Sequence, residues 1–197
     1  MKDKSKLNQC KGFTLVELLV VTAVMGVLGV LSATLISSIL RSQNKTTIIN
    51  EARQNGNLVI DKFERDVKQS AEVCPVDLLA VPPGPNCAIS TSTSVALTTY
   101  DGTTIVWDCQ ATSFKRGQGL DYAAASTPAN MMDVTNSDVV NGVAVASCSF
   151  TVLPKAGSNI PQIVTLNFFL TQGSGAPGKA EFQINEQFEV TVGTRAY

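Results

Sequence analysis

The most prominent pattern in the chain is a long apolar run near its N-terminus. Residues 13–40 read FTLVELLVVTAVMGVLGVLSATLISSIL, in which Glu17 is the single charged residue. About 20 apolar residues are enough to cross a lipid bilayer as an α-helix. The run therefore predicts a membrane-spanning helix.

The next segment, residues 41–73, has the periodicity of an amphipathic helix. Apolar side chains recur at i, i+3 and i+4 spacing from Ile48 to Ala71. Opposite charges four residues apart predict three ion pairs on its polar face: Asp61–Arg65, Lys62–Asp66 and Glu64–Lys68. Gly56 predicts a weak point. We expect the helix to end before Cys74-Pro75, because proline disfavours helical backbone at the preceding residue.

Beyond Pro75 the chain contains short runs rich in valine, isoleucine, threonine and aromatic residues, which are typical of strands. The predicted strands are 94–100, 104–109, 143–153, 163–170, 180–184 and 188–192. Asp101-Gly102 predicts a hairpin turn between the first two. The pattern as a whole predicts an α+β fold, in which a long N-terminal helix packs on a C-terminal antiparallel β-sheet domain.

Composition narrows the possible functions. Charged residues make up 16% of the chain and the net charge is −1, whereas about a quarter of a typical soluble domain is charged. No basic stretch indicates nucleic-acid binding. The chain has no histidine, so it lacks the commonest general base and the commonest zinc ligand. An enzyme remains possible, but its simplest routes are closed. Because no motif indicates one, we expect no enzyme, no cofactor and no small-molecule substrate.

Charges beside the apolar run predict its orientation in the membrane. Four lysines precede it, Lys2, Lys4, Lys6 and Lys11, whereas Arg41 and Lys45 are the only nearby cations after it. Because cations concentrate on the cytoplasmic side, we expect a cytoplasmic N-terminus and an extracytoplasmic C-terminal domain.

Two simpler interpretations compete with an assembly role. A secretory signal peptide has an apolar region of about 7–15 residues, which is shorter than this run. A plain signal anchor explains the length and the orientation but not Glu17, because an unpaired carboxylate in hydrocarbon costs a few kcal/mol. The nearest candidate partner is the free amine that cleavage just before Phe13 would create.

These residues also carry a family resemblance. Residues 11–21, KGFTLVELLVV, resemble the cleavage and methylation motif of type IV pilins and type II secretion pseudopilins. The resemblance implies that a prepilin peptidase cuts between Gly12 and Phe13 and methylates the new Phe13 amine. It also implies a pilin-like fold, and that Glu17 pairs with the N-terminal amine of a neighbouring subunit.

Looser similarities favour a subtype. Residues 63–70, 105–107 with 114–116, and 188–195 are similar to segments of J-type pseudopilins and W-type minor pilins. Many major pilins have a proline in the N-terminal helix, whereas the first proline here is Pro75. Gly26 and Gly29 either soften the helix or allow close packing against other membrane helices, and the sequence leaves both open. The missing proline favours a minor subunit.

The five cysteines divide into one and four. Cys10 precedes the apolar run, whereas Cys74, Cys87, Cys109 and Cys148 follow it. An even set in an exported domain predicts disulfides. Three pairings are possible, and we prefer Cys74 with Cys87, which flank a proline-rich loop, and Cys109 with Cys148, which lie in predicted strands. No Cys-x-x-Cys spacing indicates a zinc site, so no metal is expected.

Two segments approach the spacing of known ligand sites. Residues 173–180, GSGAPGKA, nearly match a phosphate-binding loop, but Ala180 has no hydroxyl for magnesium and a strand-like run follows. We interpret them as a hairpin loop. Residues 133–138, DVTNSD, have calcium-like oxygen spacing without the central glycine and final glutamate of an EF-hand. Since some pseudopilins use calcium, it is kept as the less favoured alternative to a solvated loop. Lys115-Arg116 is interpreted as a charged surface pair.

The chain is thus predicted to contain four segments. These are a cytoplasmic leader (1–12), a transmembrane assembly helix (13–40), its amphipathic extension (41–73) and an exported β-rich domain (74–197). We expect a structural minor pilin or pseudopilin of the inner membrane that assembles with sister subunits into a type IV pilus or type II secretion pseudopilus, periplasmic or extracellular. The alternative is a single-pass anchored extracytoplasmic binding protein that does not assemble.

Overall fold

The structure is a computed structural model that describes residues 13–109, 112–138, 142–153, 160–173, 175 and 183–195. Its elements in chain order are α1 (Leu15–Gln69), β1 (Ser70–Asp77), β2 (Gly84–Pro85), β3 (Thr91–Ser92), β4 (Ser94–Thr99), β5 (Thr104–Asp108), β6 (Lys115–Gly119), α2 (Tyr122–Ala125), β7 (Met132–Asp133), β8 (Val143–Leu153), β9 (Ile163–Gln172) and β10 (Asn185–Gly193). The chain forms two compact units, whose boundary lies within α1 between Gln43 and Asn44. A long N-terminal helix followed by antiparallel sheets confirms the predicted α+β, pilin-like fold.

The helix α1 ends at Gln69, before the predicted end at residue 73. The Ser70 hydroxyl donates a hydrogen bond to the Val67 carbonyl (2.7 Å), which satisfies one of the acceptors that the last helical turn leaves open. The chain then enters β1, where Val73 lies opposite Leu97 of β4. The helical assignment of residues 70–73 is therefore wrong, because strand pairing and burial of β-branched Val73 outweigh the helical pattern.

The larger sheet is antiparallel, with strand order β2-β1-β4-β5-β6-β7. Its strands β4 and β5 confirm the predicted strands 94–100 and 104–109. The predicted hairpin turn joins them, and Gly102 in that turn has a φ of 84°. Such a φ is strained for residues with a Cβ, so glycine suits this position.

The smaller sheet is also antiparallel, with strand order β10-β9-β8-β3. The strands β8 and β9 confirm the predicted strands 143–153 and 163–170, and the predicted strand 188–192 lies within β10. The predicted strand 180–184 falls mostly outside the described residues, and its described part, residues 183–184, is not in a strand. Most of the predicted loop 173–180 also lies outside them.

The main core joins the second part of α1 to both sheets. Four side chains of α1 are fully buried: Ala52, Val59, Phe63 and Val67. Their spacing is that of the predicted amphipathic stripe. The Phe63 ring lies edge-on to Trp107 of the larger sheet, with centroids 5.6 Å apart, and 5.5 Å from Phe150 of the smaller sheet. One helical side chain therefore contacts aromatic residues of both sheets.

Asp66 belongs to this buried stripe rather than to the polar face of the helix. It is 5% exposed, and its carboxylate accepts hydrogen bonds from Arg116 Nε (2.6 Å), Arg116 Nη2 (3.1 Å) and Trp107 Nε1 (2.8 Å). The predicted pairing of Asp66 with Lys62 is therefore wrong, and so is the interpretation of Arg116 as a surface residue. The neighbouring Glu64–Lys68 ion pair is present, as predicted.

Gly56 lies where α1 comes into close contact with β10 of the smaller sheet. A Cβ built at this position would lie 2.3 Å from Cε1 of Phe188 in β10. The Phe188 ring in turn stacks on Phe168 of β9, with centroids 5.0 Å apart. The glycine predicted as a weak point of the helix is thus the residue whose missing side chain makes room for Phe188.

The buried side chain of Gln162, the residue before β9 of the smaller sheet, connects the two sheets by hydrogen bonds to β1 of the larger one. The Gln162 amide accepts a hydrogen bond from the Val73 N–H at Oε1 (2.9 Å) and donates from Nε2 to the Val73 carbonyl (2.8 Å). Its own backbone exchanges hydrogen bonds with Thr194 beyond β10. The residue before β9 therefore holds the middle of β1.

A smaller core cluster lies on the other face of the larger sheet. Val76, Ala96 and Val106 of β1, β4 and β5 pack there with Ala125 of α2. The short helix lies close to β6 at Gly117, which has no side chain. A Cβ at that position would lie 2.0 Å from the Ala125 carbonyl oxygen. A side chain at that position would push α2 away.

The four cysteines of the C-terminal part form two pairs. Cys74 is bonded to Cys87, with Cα atoms 4.6 Å apart, and Cys109 to Cys148, with Cα atoms 6.4 Å apart. This is the pairing preferred from the sequence. The first bridge joins β1 to the residues after β2, and the second joins the larger sheet to β8 of the smaller one.

Candidate functional site

The start of α1 is capped by a threonine hydroxyl. Thr14 Oγ1 accepts a hydrogen bond from the Glu17 N–H (3.2 Å), and the Thr14 carbonyl accepts from Leu18 (3.2 Å). A threonine followed three residues later by glutamate is the signature of a capping box, in which the hydroxyl satisfies one of the unpaired N–H groups of the first turn. The helix therefore begins at Leu15 with a fixed geometry, and Thr14 is its cap.

Glu17 lies in the first turn of the helix. A carboxylate there is favoured by the positive end of the helix dipole. Among the described residues no cation forms an ion pair with it. The structure thus places one negative charge at the start of an apolar helix, two helical positions beyond Leu15, where α1 begins.

The first part of α1 is exposed throughout. Residues 13–47 are all exposed, with Phe13 at 79% and Leu15 at 80%. The helix is long and apolar enough to cross a membrane, with a mean hydropathy of 2.4 over its most apolar window, none of which is buried within the chain. This surface fits anchoring in a lipid bilayer.

Polar side chains within this apolar part bond to the helix itself. The hydroxyls of Thr22, Ser32 and Thr34 donate to the carbonyls of Leu19 (3.0 Å), Leu28 (2.8 Å) and Leu31 (2.8 Å). Their hydrogen bonds need no water, so they are compatible with a hydrocarbon environment.

Two glycines leave open space along the same part of the helix. A Cβ built on Gly26 or Gly29 would meet no atom within 4 Å in this chain. Small residues allow helices to approach closely in a membrane. The two glycines therefore leave room for a neighbouring helix, and their other possible role, softening of α1, stays a prediction.

The predicted site residues are distributed as follows. Gly12 lies outside the described residues, Phe13 precedes the helix and Glu17 lies in its first turn. Thr14 is the participant that the sequence reasoning missed. Its signal was present, because Thr14 and Glu17 have the spacing of a capping box.

The candidate ligand segments have other contacts. The Asp133 carboxylate accepts hydrogen bonds from the hydroxyls of Ser113 (2.6 Å) and Ser137 (3.2 Å). Glu72 lies close enough to Cys74 and Cys87 to suggest a metal site, but both sulfurs belong to the disulfide and are not free thiolates.

The comparisons with known proteins support the N-terminal assignment. Residues 7–33 match the family described as the prokaryotic N-terminal methylation motif. No curated protein and no solved structure matches the chain. The motif indicates a type IV pilin-like protein that is processed by prepilin peptidase, and it implies a structural rather than a catalytic role.

Proposed function

We propose that this protein is a minor structural subunit of a type IV pilus or a type II secretion pseudopilus. Prepilin peptidase cuts the precursor between Gly12 and Phe13 and methylates the new amine. The mature subunit is anchored in the inner membrane by the exposed part of α1. The same part of the helix then packs against other subunits when the protein is incorporated into the filament. Glu17 then pairs with the N-terminal amine of a neighbouring subunit.

The observation that carries this proposal is the exposed apolar helix with a single carboxylate in its first turn. In lipid the charged Glu17 carboxylate has an unfavourable free energy, because hydrocarbon solvates it poorly. A cationic terminus from another subunit offsets that cost. Pairing therefore favours the docked state over the isolated anchor and sets the axial position of one helix against the next.

The capping geometry gives a second explanation for Glu17, which must be separated from pairing. In a capping box the glutamate side chain reaches back to the backbone N–H of the capping residue, and glutamine serves equally well. A role in assembly needs the negative charge, whereas a role in capping does not. Substitution by glutamine distinguishes the two roles.

Two features support a minor rather than a major subunit. The described part of α1 contains no proline, in contrast to the helices of many major pilins. The pairing of Asp66 on α1 with Arg116 on β6 also involves two of the segments that resemble J-type pseudopilins and W-type minor pilins.

Analysis of the mature N-terminus tests the proposal. The full chain is expressed with a prepilin peptidase, purified from membranes and examined by intact-mass and N-terminal peptide mass spectrometry. We expect a chain that begins at methylated Phe13. Gly12→Val should block cleavage, because the added side chain obstructs the peptidase. Gly84→Val should not, since it lies far along the chain in β2, where a Cβ would meet no atom within 4 Å.

An intact Met1, or a cut at another position, would contradict the proposal. It would favour the alternative, an anchored extracytoplasmic binding protein that never assembles. If the protein is processed correctly but is not incorporated into filaments, the assignment as a pilin-like precursor stands and the structural role is rejected.

A further inference from the structure

The outermost strand of the smaller sheet, β10, has one long edge without a neighbouring strand in the described part of the chain. The two sheets end in four outer strands there: β2, β3, β7 and β10. The first three contain two residues each, whereas β10 contains nine, all of which pair with β9 in one unbroken register. A long, regular edge is a template on which another chain can form a strand.

The register of β10 determines which of its backbone groups face outward. Just beyond the strand, the Thr194 N–H donates to the Gln162 carbonyl (2.9 Å), in the same register as the pairs of β10 with β9. Hydrogen-bonded and non-hydrogen-bonded pairs alternate in an antiparallel ladder, so the even-numbered residues of β10 bond to β9. The N–H and C=O groups of Gln187, Glu189 and Thr191 therefore point away from β9.

The edge of β10 lacks most of the features that keep strands of different molecules apart. Such features are lysines, prolines, bulges and charges that point inward. Residues 185–193, NEQFEVTVG, contain no lysine and no proline. An inward-facing charge is present at Glu186, but it lies near the beginning of the strand and pairs with Arg53 (3.5 Å). Within the described part of the chain, the edge from Gln187 to Gly193 is therefore open.

The side chains of β10 that face the core are only partly covered. The corresponding side chains of β9 are fully buried: Val164, Leu166, Phe168 and Leu170. By contrast, Phe188 and Val190 of β10 pack against the main core but are only half-buried. A further strand beside β10 would cover more of their apolar surface, which favours binding.

The opposite, exposed face of β10 selects for charge. Glu189 lies in the middle of the strand with an exposed side chain, and its carboxylate has no hydrogen bond or ion pair with any described residue. The strand contains no cation. Opposite charges on directly opposed residues of antiparallel strands are favourable, and like charges are unfavourable. The edge therefore favours a strand with a lysine or arginine over a second copy of β10 that pairs Glu189 with Glu189.

We propose that β10 docks an extended segment of a partner protein as an additional antiparallel strand. Alternate residues of this segment are apolar and cover Phe188 and Val190, and a lysine or arginine on its other face lies opposite Glu189. The antiparallel direction is that of every strand pair in both sheets. Backbone hydrogen bonds supply affinity in this binding mode and alternate side chains supply specificity. The proposal does not rest on filament assembly, because β10 lies in the C-terminal unit.

Binding of a synthetic peptide to the full chain in lipid nanodiscs tests this inference. The probe is the fluorescently labelled peptide VTVKVTV, whose central lysine is placed to lie opposite Glu189. Fluorescence anisotropy measures the affinity, with empty nanodiscs as the control for lipid binding. We expect saturable binding, and binding of VTVEVTV that is weaker by about threefold, the size of an exposed cross-strand charge pair. Glu189→Lys should reverse this order of affinities.

Methylated forms of the probe test whether the peptide backbone carries the binding. N-methylation of both threonines removes N–H groups on the edge that faces β10, and it should weaken binding by more than about tenfold. N-methylation of the two valines that flank the lysine changes the other edge of the peptide. That form should bind as the parent peptide does.

A proline in β10 provides the matching change in the protein. Thr191→Pro removes an N–H that points outward and leaves the hydrogen bonds to β9 in place, because proline is tolerated at such edge positions. It should weaken binding by about tenfold. Thr191→Ala is the control, since it loses the hydroxyl that lies 2.9 Å from that of Thr165 but keeps the N–H. Tryptophan fluorescence and formation of both disulfides verify the fold of the two variants.

Amide hydrogen exchange reports the state of the edge directly. In the peptide-free protein the amides of Gln187, Glu189 and Thr191 should exchange rapidly, and the peptide should slow them. Those of Phe188 and Val190 should be protected throughout, because they bond to β9.

Four results would overturn the proposal. The first is the absence of saturable binding of VTVKVTV, and the second is equal binding of the two methylated forms or of Thr191→Pro and the parent. The third is slow exchange of the three outward amides in the peptide-free monomer, which would show that this chain already covers the edge. The fourth is self-association in sedimentation that Thr191→Pro abolishes, which would assign the edge to a second copy of this chain.

Discussion

The Asp66 carboxylate on α1 is held by both Nε and Nη2 of the Arg116 guanidinium on β6. The side chain of Asp66 is 7% exposed and that of Arg116 is 28% exposed, so the pair is only slightly screened by water. Trp107 Nε1–H fills a further acceptor position of the carboxylate. Helix and sheet are therefore joined by a charge pair as well as by packing.

Breaking this pair should destabilise the C-terminal unit. Asp66→Ala leaves the Arg116 cation without its partner, and loss of one member of a buried pair costs about 3 kcal/mol. Trp107 is the only tryptophan of the chain, so its fluorescence reports unfolding directly at this contact. Denaturant titration of the full chain in nanodiscs provides the measurement.

A double-mutant cycle checks that the loss comes from the pair. The double variant Asp66→Ala/Arg116→Ala should cost less than the sum of the single changes, because each single change leaves one unpaired charge and the double variant leaves none. Lys68→Ala, at the exposed Glu64–Lys68 pair, should cost only a few tenths of a kcal/mol. Additive effects would show that the two side chains do not interact.

Gly56→Ala should destabilise the contact between α1 and β10. The new Cβ would lie 2.3 Å from the Phe188 ring, and overpacking of this kind costs about 1–3 kcal/mol. That exceeds the gain of up to about 1 kcal/mol in helix propensity. Gly26→Ala is the control, since its Cβ meets nothing in this chain. Phe188→Leu should partly rescue Gly56→Ala, and equal stability of Gly56→Ala and the parent would refute the contact.

The two disulfides should contribute unequally. A loop-entropy argument assigns about 3 kcal/mol to the bridge with a sequence separation of 13 and about 4 kcal/mol to the one with a separation of 39. Replacing Cys109 and Cys148 by alanine should therefore lower the unfolding free energy more than replacing Cys74 and Cys87. Cys10→Ala should have no effect on the processed protein. The reverse order would mean that local packing, rather than chain entropy, dominates.

Asp101 should make the β4–β5 hairpin sensitive to acid. Its pKa is lowered by hydrogen bonds, first from the Thr99 hydroxyl and then from the Thr103 N–H. A lowered folded pKa means that the carboxylate stabilises the turn above its unfolded pKa of about 3.9. That contribution is lost as the pH falls through the lower folded value. Carboxyl-detected NMR titration should show Asp101 titrating below an ordinary aspartate.

Asp101→Asn provides the matching control for this titration. It should weaken the turn at neutral pH and reduce the dependence of hairpin protection on pH below about 4. Amide hydrogen exchange at Thr103 measures that protection. An ordinary pKa for Asp101, or an unchanged pH dependence in the variant, would contradict the assignment of these hydrogen bonds.

Glu17→Gln and Glu17→Val should both leave membrane insertion intact and both reduce incorporation into filaments. Glutamine retains the capping function but lacks the charge, so its defect isolates pairing with the amine. Quantitative immunoblotting of sheared filaments against membrane fractions measures incorporation. If Glu17→Gln incorporates as the parent does while Glu17→Val fails, capping is the function of the residue.

The elements predicted best are those whose pattern is long and decided locally. The apolar run and the amphipathic stripe together predicted α1, and a run rich in valine, threonine and aromatic residues predicted β8 over the observed range. In both cases many residues indicate the same structure, so no single tertiary contact can override the signal.

The failures depend on partners distant in sequence. Residues 70–73 continue a helical pattern, yet they pair with β4 because that strand is available in the fold. Asp66 has a lysine at the right helical spacing, yet Arg116 reaches it from β6 with two donors in a rigid fork, which a lysine cannot offer. Spacing along one helix cannot reveal either competitor.

The N-terminal part of the candidate site could be predicted because its residues are close together in the sequence. The motif predicts Phe13 and Glu17 as site residues. Thr14 could also have been predicted, because its spacing from Glu17 is that of a capping box. The open groove lined by Leu78, Val106 and Tyr122 could not be predicted, since its two loops are about forty residues apart and meet only after the larger sheet has formed.

The side chain of Gln162 has a further consequence for solubility. Its amide offers an N–H donor and a C=O acceptor, as a backbone peptide does, and these bond to the N–H and the carbonyl of Val73 on the side of β1 that faces away from β4. Free strand edges recruit strands from other molecules and seed aggregation. At Val73 that edge is already occupied, so the protein offers other molecules no unpaired backbone at this position.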